Sequence, residues 1–457
     1  MTRLSRQVVR SFLTRKERGI PREVIDKTIV HIADEVGPAL AGRVGAPAAP
    51  EALTALHEGV IGGKCQVIGG GPGLPPALAA FANSAFCHAM DFDDIHDTCH
   101  VHATSTTFPA ALAASDLVGG ASGKTVVEAV ALGNELMCRM AVFQFKEGPQ
   151  GHDVPYGADF YLSQLHGYFA AALTAGLILG LDEERLVSAF GLAYMQAAGT
   201  REPGRAGGCN ARAIYTGFGA MGGVQAALFA KHGVTGPDSA FDGSSGLYKT
   251  YIPMPVAQER IERLLQTEDW DFLGTNIRPY PTARGNHLFI AAALSLRDKV
   301  PLDRIEKIVA EVGARYRHSA LPLEARRRPK TVPDAKYGIP FAIGFALANG
   351  KVTLNNLNES ALHDEEALRL AGLVEVVMQS EADDNLPGNI TIHYTGGSVE
   401  SPRVGFPSLS NEQLRAKFLD CCEYAGLGNE GPALYDRLLR IEDGDVSKLM
   451  SEIKLKA

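Results

Sequence analysis

The sequence has no surplus of basic residues and no long apolar run. Lysine and arginine together number 44 against 52 aspartates and glutamates, which gives a net charge of −8. A protein that binds nucleic acid needs a basic surface to neutralise phosphates. A membrane span needs roughly 20 consecutive apolar residues. The composition therefore predicts neither a nucleic-acid partner nor a membrane partner.

The cysteines also lack any organised spacing. The seven cysteines are odd in number, scattered, and form no CxxC pair, which favours reduced thiols in a reducing compartment and predicts a cytoplasmic protein. Cys421 and Cys422 lie in a helical stretch and are expected to be buried. The arginine-rich start faintly resembles a mitochondrial presequence, but the simpler interpretation is an amphipathic first helix with Val8, Phe12 and Leu13 facing inward.

The hydrophobic pattern predicts two domains, as expected for 457 residues. Residues 1–265 show helix after helix, with apolar residues at helical spacing and much alanine. Residues 266–404 mix short helices with strand-like segments such as "KIVAEVGARY", "LVEVVMQSEAD" and "NITIHYTGG". Helices return in residues 405–457 and are expected to complete the first domain. The predicted fold class is mainly α, with a large all-helical domain and a smaller α+β domain.

The segment "VIGGGPGLPP" at residues 67–76 nearly matches a dinucleotide-binding fingerprint. The third glycine falls one position early, because Leu74 stands where the spacing requires glycine. Pro75 and Pro76 follow where a helix N-terminus would have to present free N–H groups to a pyrophosphate. The segment therefore predicts a tight turn and not a cofactor site.

The chemistry-bearing residues are concentrated in "HAMDFDDIHDTCHVHATST", residues 88–106. As a metal site this stretch offers the HxxxH pair His96 and His100, but no glutamate base accompanies the pair. As an acid–base site it offers Asp91 after an alanine-rich helix and His102 before the next helix, whose N-terminus is expected near Pro109. A carboxylate and an imidazole beside a helix start suit an anionic substrate and a proton transfer.

Three segments resemble the MmgE/PrpD family: "AFANSAFCHAMDFDD", "HVHATSTTFPAALAASD" and "GFGAMGGVQAALFAKHGVTGP". The resemblance covers almost the whole chain, since "IRPYP" and "AKYGIPFAIGFALANGKVT" look like the family's lid-domain segments. The family includes 2-methylcitrate dehydratases, cis-aconitate decarboxylases and an iminodisuccinate epimerase. The resemblance implies a helical domain with an α+β lid, a homodimer, and no metal or organic cofactor. It favours acid–base chemistry over a metal site.

The resemblance also implies site residues. Asp91 matches the family's active-site aspartate, and His102 matches its active-site histidine. Tyr161 stands where decarboxylase-type members have a catalytic histidine, and His166, just over one helical turn further on, is a candidate replacement. Two family lysines are replaced by Arg212 and Arg278.

Two further positions carry over from the lid segments. His287 keeps a family histidine position. Tyr316 falls within one residue of a family active-site tyrosine.

The replacements have chemical meaning. Lysine can share a proton with a departing group, whereas arginine stays charged and binds a carboxylate through two parallel N–H bonds. Tyrosine in place of histidine supplies a group that is protonated at neutral pH. These changes weigh against cis-aconitate decarboxylation and against a strict 2-methylcitrate assignment.

The sequence favours a cofactor-independent lyase, of the 2-methylcitrate dehydratase type, that abstracts the proton alpha to a carboxylate of a small di- or tricarboxylate. Arg212 and Arg278 would hold carboxylates while His102 and Tyr161 exchange protons, with Asp91 fixing the histidine. An epimerase of a dicarboxylate and an inactive polycarboxylate-binding homologue remain alternatives.

The neighbouring side chains have structural interpretations. His88 and Met90 are expected to pack on a helix face. Asp93, Asp94 and Asp97 are expected to form a solvated or capping cluster.

Overall fold

The computed structural model describes residues 3–46, 48–144, 160–205, 209–251, 257–379, 388–403 and 405–455. These described residues form two compact units, one made of the residues up to 277 together with those from 421 onward, and the other of residues 278–420. The mainly helical fold with a smaller α+β unit confirms the predicted fold class. The predicted division at 265/266 and 404/405 stays a prediction. The compact units divide at 277/278 and 420/421, and residues 275–277 pair with residues 94–96 of the helical unit.

The larger unit is built from helices whose apolar faces pack on one another. In chain order its elements are α1 (Leu4–Arg18), α2 (Arg22–Gly45), α3 (Ala49–His57), α4 (Pro76–Ala89), β1 (Asp94–His96), α5 (Thr104–Leu117), α6 (Gly123–Gln144), α7 (Leu162–Ile178), α8 (Glu183–Tyr194), α9 (Glu202–Arg205), α10 (Tyr215–Lys231), α11 (Leu247–Tyr251), α12 (Gln258–Leu265) and β2 (Thr275–Ile277). Strands β1 and β2 pair antiparallel, with Asp94 opposite Ile277. This pairing joins part of the segment 88–106 to residues about 180 positions further along the chain.

Helices α7 and α10 approach at backbone distance, because glycines line their contact. A Cβ atom on Gly219 would come 3.1 Å from the carbonyl oxygen of Gln164, and one on Gly223 would come 2.6 Å from that of Tyr168. Every residue of α7 is buried. The starts of α7 and α10 are therefore rigidly placed with respect to each other.

Within the described residues, one helical stretch, Ala211–Lys231, is long and apolar enough to cross a membrane by length and composition alone. Of its most apolar 18-residue window, 61% is buried inside the protein. Core helices pass the same test when neighbouring helices cover them, so this stretch gives little support to a membrane span.

The smaller unit carries a four-stranded sheet. Its elements are α13 (Arg284–Leu296), β3 (Ile305–Val312), α14 (Arg317–Ala320), α15 (Leu323–Arg327), α16 (Val332–Lys336), α17 (Ile339–Asn349), α18 (Glu365–Gly372), β4 (Val374–Met378), β5 (Asn389–Tyr394) and β6 (Gly397–Glu400). The strand order is β4-β3-β5-β6, in which β3 and β4 are parallel and the other neighbours antiparallel. The three predicted strand segments are confirmed as β3, β4 and β5.

Three C-terminal helices follow, α19 (Asn411–Tyr424), α20 (Gly431–Leu438) and α21 (Val446–Glu452). Cys421 and Cys422 of α19 are buried, as predicted. In α1, Val8 and Phe12 are buried as predicted, whereas Leu13 is only partly covered.

The predicted turn at residues 67–76 is confirmed. Gly69, Gly70 and Gly71 all have positive φ, and Cys65 forms an antiparallel bridge with Leu74 across the turn. Glycine adopts positive φ more readily than any other residue, so the backbone of this turn explains the glycine run.

Candidate active site

Asp91 follows the end of α4 in a left-handed backbone conformation, with φ of 56°. Aspartate adopts this conformation more readily than most residues. Its Oδ1 accepts hydrogen bonds from both terminal nitrogens of Arg212, each at 3.1 Å. The side chain of Asp91 is 10% exposed and that of Arg212 is 27% exposed. Asp91 thus holds a guanidinium that still reaches solvent.

His102 lies two residues before α5 and is oriented by four contacts from neighbouring chain segments. Its Nδ1 is 2.6 Å from the carbonyl oxygen of Asp94 and 3.2 Å from Oδ2 of Asp93. Its backbone N–H donates to the Ser163 hydroxyl at the start of α7, and its ring lies 4.7 Å from that of His88. Because a carbonyl oxygen only accepts, Nδ1 of His102 carries a proton. In the neutral imidazole the lone pair is then on Nε2.

The Asp93 carboxylate contacts a second imidazole. His88, near the end of α4, has its Nδ1 2.8 Å from Oδ2 of Asp93. Both side chains are buried. Burial lowers the pKa of His88, and the neighbouring Asp93 only partly opposes that effect. His88 is therefore a neutral buried imidazole beside His102.

Tyr161 immediately precedes α7 and is fixed by its backbone. Its N–H donates to the carbonyl oxygen of Gly199 at 2.6 Å. Gly199 has φ of 147°, and a Cβ atom there would lie 3.2 Å from the carbonyl oxygen of Tyr161. The ring of Tyr161 stacks on that of Tyr215, with centroids 4.2 Å apart and planes inclined by 15°. Backbone and ring contacts together define the position of the phenol.

An unbroken series of ring contacts joins Tyr161 to His102. Tyr215, the first residue of α10, meets His88 edge-on at 4.6 Å, and His88 in turn lies against His102. The four side chains come from α4, α10 and the segments that precede α5 and α7. The fold thus brings His102, a possible base, and Tyr161, a possible acid, into one cluster from distant parts of the sequence.

Both tyrosines are held in the neutral form. Burial raises the pKa of Tyr161, against the lowering effect of the Arg212 and Arg201 charges. Burial also raises the pKa of Tyr215. The Tyr161 hydroxyl is buried and makes no hydrogen bond of normal geometry with the described residues. It is thus a protonated phenol close to a cation.

A second acidic group lies beside Asp93. Oδ2 of Asp94 accepts from the Thr104 hydroxyl at 2.6 Å and faces Nδ1 of His31 at 3.2 Å. Glu35 of α2 accepts the Asp94 backbone N–H at 3.0 Å. Burial, with the added repulsion of Asp94 and Asp93, holds the pKa of Glu35 well above its usual range. Burial therefore favours the neutral form of Glu35, which limits the charge packed beside Asp93 and Asp94.

Two sets of three side chains bring ligand-type atoms within 4.8 Å of one another: His88 with Asp93 and His102, and Glu35 with Asp93 and Asp94. A histidine ligates a metal through an unprotonated nitrogen. In the first set the imidazole nitrogens that face Asp93 act as hydrogen-bond donors, so this arrangement suits a hydrogen-bond network better than a metal. That the protein uses no metal stays a prediction.

The HxxxH pair is arranged differently. His96 is buried, with its Nε2 2.9 Å from the carbonyl oxygen of Asp271 and its Nδ1 accepting from the Thr98 backbone N–H at 3.2 Å. Both ring nitrogens of His96 therefore form hydrogen bonds with backbone groups. His100 has a left-handed backbone, with φ of 56°. The HxxxH spacing in this segment reflects a turn after β1 and not one face of a helix.

His166 lies in α7 and is fully buried. Neither of its ring nitrogens makes a hydrogen bond with the described residues. Burial lowers the pKa of His166 to about 3, without a contribution from any charged residue of the site. His166 is thus a neutral imidazole in the core, and as a replacement acid it is poorly suited.

The other predicted residues belong to the smaller unit. His287 of α13 donates from Nε2 to the Thr282 carbonyl oxygen at 3.2 Å, and its Nδ1 accepts from Arg284 at 3.3 Å. Burial lowers the pKa of His287, and the charges of Arg284 and Arg278 lower it further. Both nitrogens are engaged, so His287 acts in this arrangement as an acceptor that orients Arg284. Arg284 also lies over the Phe406 ring, 4.2 Å from its centroid.

Arg278 and Tyr316 are buried in the smaller unit. The Tyr316 ring covers the start of α13, where a Cβ atom on Gly285 would come 2.5 Å from Cδ1 of the ring. Arg278 is close enough to His287 to affect its pKa. A role for either residue in binding substrate stays a prediction.

Several expectations require correction. The carboxylate beside His102 is that of Asp93, while Asp91 binds Arg212. Asp93 and Asp94 are fully buried, so they are not solvated. Asp94 does cap a helix, as the other interpretation predicted, because its Oδ2 accepts the backbone N–H of Thr104 at the start of α5. The helix after His102 begins at Thr104 and not near Pro109, which lies inside it.

Sequence reasoning missed His88, Asp93, Tyr215 and Ser163. The signal for the first two was their presence in the same "HAMDFDD" segment as Asp91. Tyr215 and Ser163 carried no such signal, because each is one polar position at the start of a helix.

The comparisons with known proteins agree with this architecture. The MmgE/PrpD N-terminal domain matches residues 13–259 and the MmgE/PrpD C-terminal domain matches residues 280–430. The chain belongs to the MmgE/PrpD family.

Named relatives are similar along most of the chain. A cis-aconitate decarboxylase of Aspergillus terreus is 31% identical over 87% of this chain and 85% of its own length. A cis-aconitate decarboxylase-like protein of Aspergillus oryzae is 25% identical over 96% of this chain and 94% of its own length. Human cis-aconitate decarboxylase is 24% identical over 76% of this chain and 72% of its own length.

Proposed function

We propose that this protein is a cofactor-independent lyase that acts on a small di- or tricarboxylate by removing the proton alpha to a carboxylate. The enzyme class rests on the similarity to lyases along most of the chain. The observation that carries the chemistry is the Asp94 carbonyl on Nδ1 of His102. It leaves the lone pair of the neutral imidazole on Nε2, where a base needs it.

In the proposed reaction, Arg212 binds a substrate carboxylate and stabilises the negative charge that develops on it. Nε2 of His102 takes the alpha proton. The electron pair of that C–H bond forms the double bond, and the β-hydroxyl departs as water after it accepts a proton from Tyr161. The imidazolium and the phenolate then exchange a proton through solvent, which restores the starting state.

Two features support these roles. The Arg212 guanidinium is partly exposed and is held by Asp91, so it is oriented yet accessible. Tyr161 keeps its proton because burial raises its pKa. A neutral phenol next to a cation is a suitable donor to a departing hydroxide, which is far more basic than a phenolate.

Decarboxylation is a second candidate, favoured by the names of the relatives. Loss of CO2 leaves a carbanion that Tyr161 or protonated His102 would have to protonate. Epimerisation, with Tyr161 returning the proton on the opposite face, is a third outcome of the same set of groups.

One experiment separates these reactions. The purified protein is incubated in D2O with citrate-, malate- and aspartate-type acids and with cis-aconitate, and products are followed by proton NMR and CO2 release. We expect an alkene product together with deuterium at the alpha carbon of remaining substrate. CO2 release would establish decarboxylation instead, and inversion without elimination would establish an epimerase. Binding by thermal shift with no exchange, elimination or CO2 would overturn the proposal.

A further inference from the structure

We propose that Asp93 is the positioning residue of the site, and that it acts by accepting the Nδ1–H of His88 while its charge lies beside Nδ1 of His102. The inference rests on the proposed function, in which His102 is the base. It assigns a role to two residues, His88 and Asp93, for which the sequence predicted only packing or solvation.

The geometry is that of one carboxylate oxygen between the Nδ1 atoms of two imidazoles. Oδ2 of Asp93 lies 2.8 Å from Nδ1 of His88 and 3.2 Å from Nδ1 of His102. The contact with His88 is a hydrogen bond. The Nδ1–H of His102 is directed at the Asp94 carbonyl oxygen, so Asp93 acts on His102 through its neighbouring negative charge. Asp93 is fully buried, as is His88, so water cannot replace either partner.

Each contact restricts the base in a different way. The Asp94 carbonyl fixes the tautomer of His102, and the Asp93 charge stabilises the imidazolium that forms when Nε2 takes a proton. The hydrogen bond from His88 holds the Asp93 carboxylate in place, so the carboxylate does not move when His102 becomes protonated. His88 also contacts Tyr215 edge-on, so the same imidazole supports the ring on which Tyr161 stacks.

The two aspartates of the "DFD" segment then have separate tasks. Asp91 holds the cation that binds substrate, and Asp93 supports the base. Loss of Asp91 should therefore affect substrate binding first, and loss of Asp93 should affect turnover first. A purely structural role for Asp93 would not produce this difference.

The first test needs no variant and no substrate. In the wild-type protein labelled with 15N-histidine, the nitrogen–proton correlations report which ring nitrogen of each histidine carries the proton. His88→Asn and His102→Asn assign the two signals. We expect both residues to carry their proton on Nδ1 at neutral pH. A proton on Nε2 of either residue would overturn the proposal.

The second test compares two isosteric variants, Asp93→Asn and Asp91→Asn. Asp93→Asn should move the signals of both histidines and lower kcat by at least ~10-fold, with little change in KM. Asp91→Asn should leave both signals in place and raise KM. Equal effects of the two variants on kcat and KM would contradict the proposal. Should the wild-type protons lie on Nδ1 while no acid is turned over, the hydrogen-bond arrangement would stand and the proposed reaction would fall.

Discussion

The rings of Tyr161 and Tyr215 are stacked at 4.2 Å, and each tyrosine stands at the start of a helix in a pair that touches through glycine backbone. The Tyr161 phenol is therefore positioned by α7 and α10 at once. The Tyr161 hydroxyl is buried without a hydrogen bond of normal geometry among the described residues. A tyrosine that only packs in the core would usually have a partner for its hydroxyl.

Tyr161→Phe should abolish conversion of the substrate while leaving part of the alpha-proton exchange by His102. The stacked ring is kept and only the acidic proton is lost, so the melting temperature should change little. Conversion and deuterium exchange are measured on the same samples, with Tyr394→Phe in the smaller unit as the control. A fully active Tyr161→Phe protein would reduce Tyr161 to a packing residue.

His102→Asn should lower turnover at least ~100-fold, since general acid–base catalysis contributes 10²–10⁴. Asparagine cannot accept a proton at neutral pH, although its amide can still donate to the Asp94 carbonyl. Steady-state kinetics and alpha-proton exchange should fall together. His363→Asn, at an exposed histidine, serves as the control and should leave both unchanged.

Arg278→Lys should weaken substrate binding with the fold intact. Lysine keeps the charge but loses the paired N–H groups, and a hydrogen bond to a charged group is worth roughly 1.5–3 kcal/mol. The dissociation constant and KM are measured beside Arg304→Lys, an exposed arginine of the same unit. Unchanged KM and kcat in Arg278→Lys would remove Arg278 from the substrate site.

His166 should make the protein less stable as the pH falls. An unfolded histidine has a pKa near ~6.5, whereas burial lowers that of His166 to about 3. Between these values the unfolded chain binds one more proton, so the free energy of unfolding falls by ~1.4 kcal/mol for each unit of decreasing pH. This contribution is intact above the unfolded pKa.

The measurement is urea unfolding at pH 6.5 and pH 5.0. His166→Leu should lose ~2 kcal/mol less than wild type over this interval. His232→Leu, at an exposed histidine, should behave as wild type does. An identical loss in wild type and His166→Leu would show that His166 gains a proton without unfolding.

We propose that the helical unit forms a homodimer through exposed apolar side chains. The candidates are Phe218 and Phe229 of α10, 39% and 45% exposed, and Met195 after α8, 74% exposed. Light scattering should give twice the 48.7 kDa chain mass. Phe229→Glu should shift the protein towards monomer, while Ile61→Glu, at an exposed apolar residue of the loop between α3 and α4, should not. A wild-type monomer at micromolar concentration would contradict the proposal.

The sequence predicted most of the fold because its long helices and the strands β3, β4 and β5 carry clear periodic patterns. Strands β1 and β2 were missed, since three residues cannot show an alternation and their pairing joins positions far apart in the chain. Of the predicted site residues, Asp91, His102, Tyr161 and Arg212 lie in the helical unit, and their roles in catalysis stay predictions.

The pairing of those residues could not be predicted. Asp91 and Asp93 are separated by one residue, and which carboxylate meets which partner depends on the left-handed backbone at Asp91. That conformation turns Asp91 towards Arg212 and leaves Asp93 for the two histidines. Aspartate tolerates this backbone conformation but does not require it, so the residue type alone did not predict the left-handed conformation at Asp91.

The glycine contacts of α7 and α10 bear on how this enzyme can be altered in the laboratory. Any side chain at Gly219 or Gly223 would force the two backbones apart, and Tyr161 and Tyr215 would separate with them. Libraries that aim at a new substrate should therefore keep these glycines constant. Diversity is better introduced next to Arg212, whose partly exposed guanidinium can meet differently shaped acids without any movement of the helices.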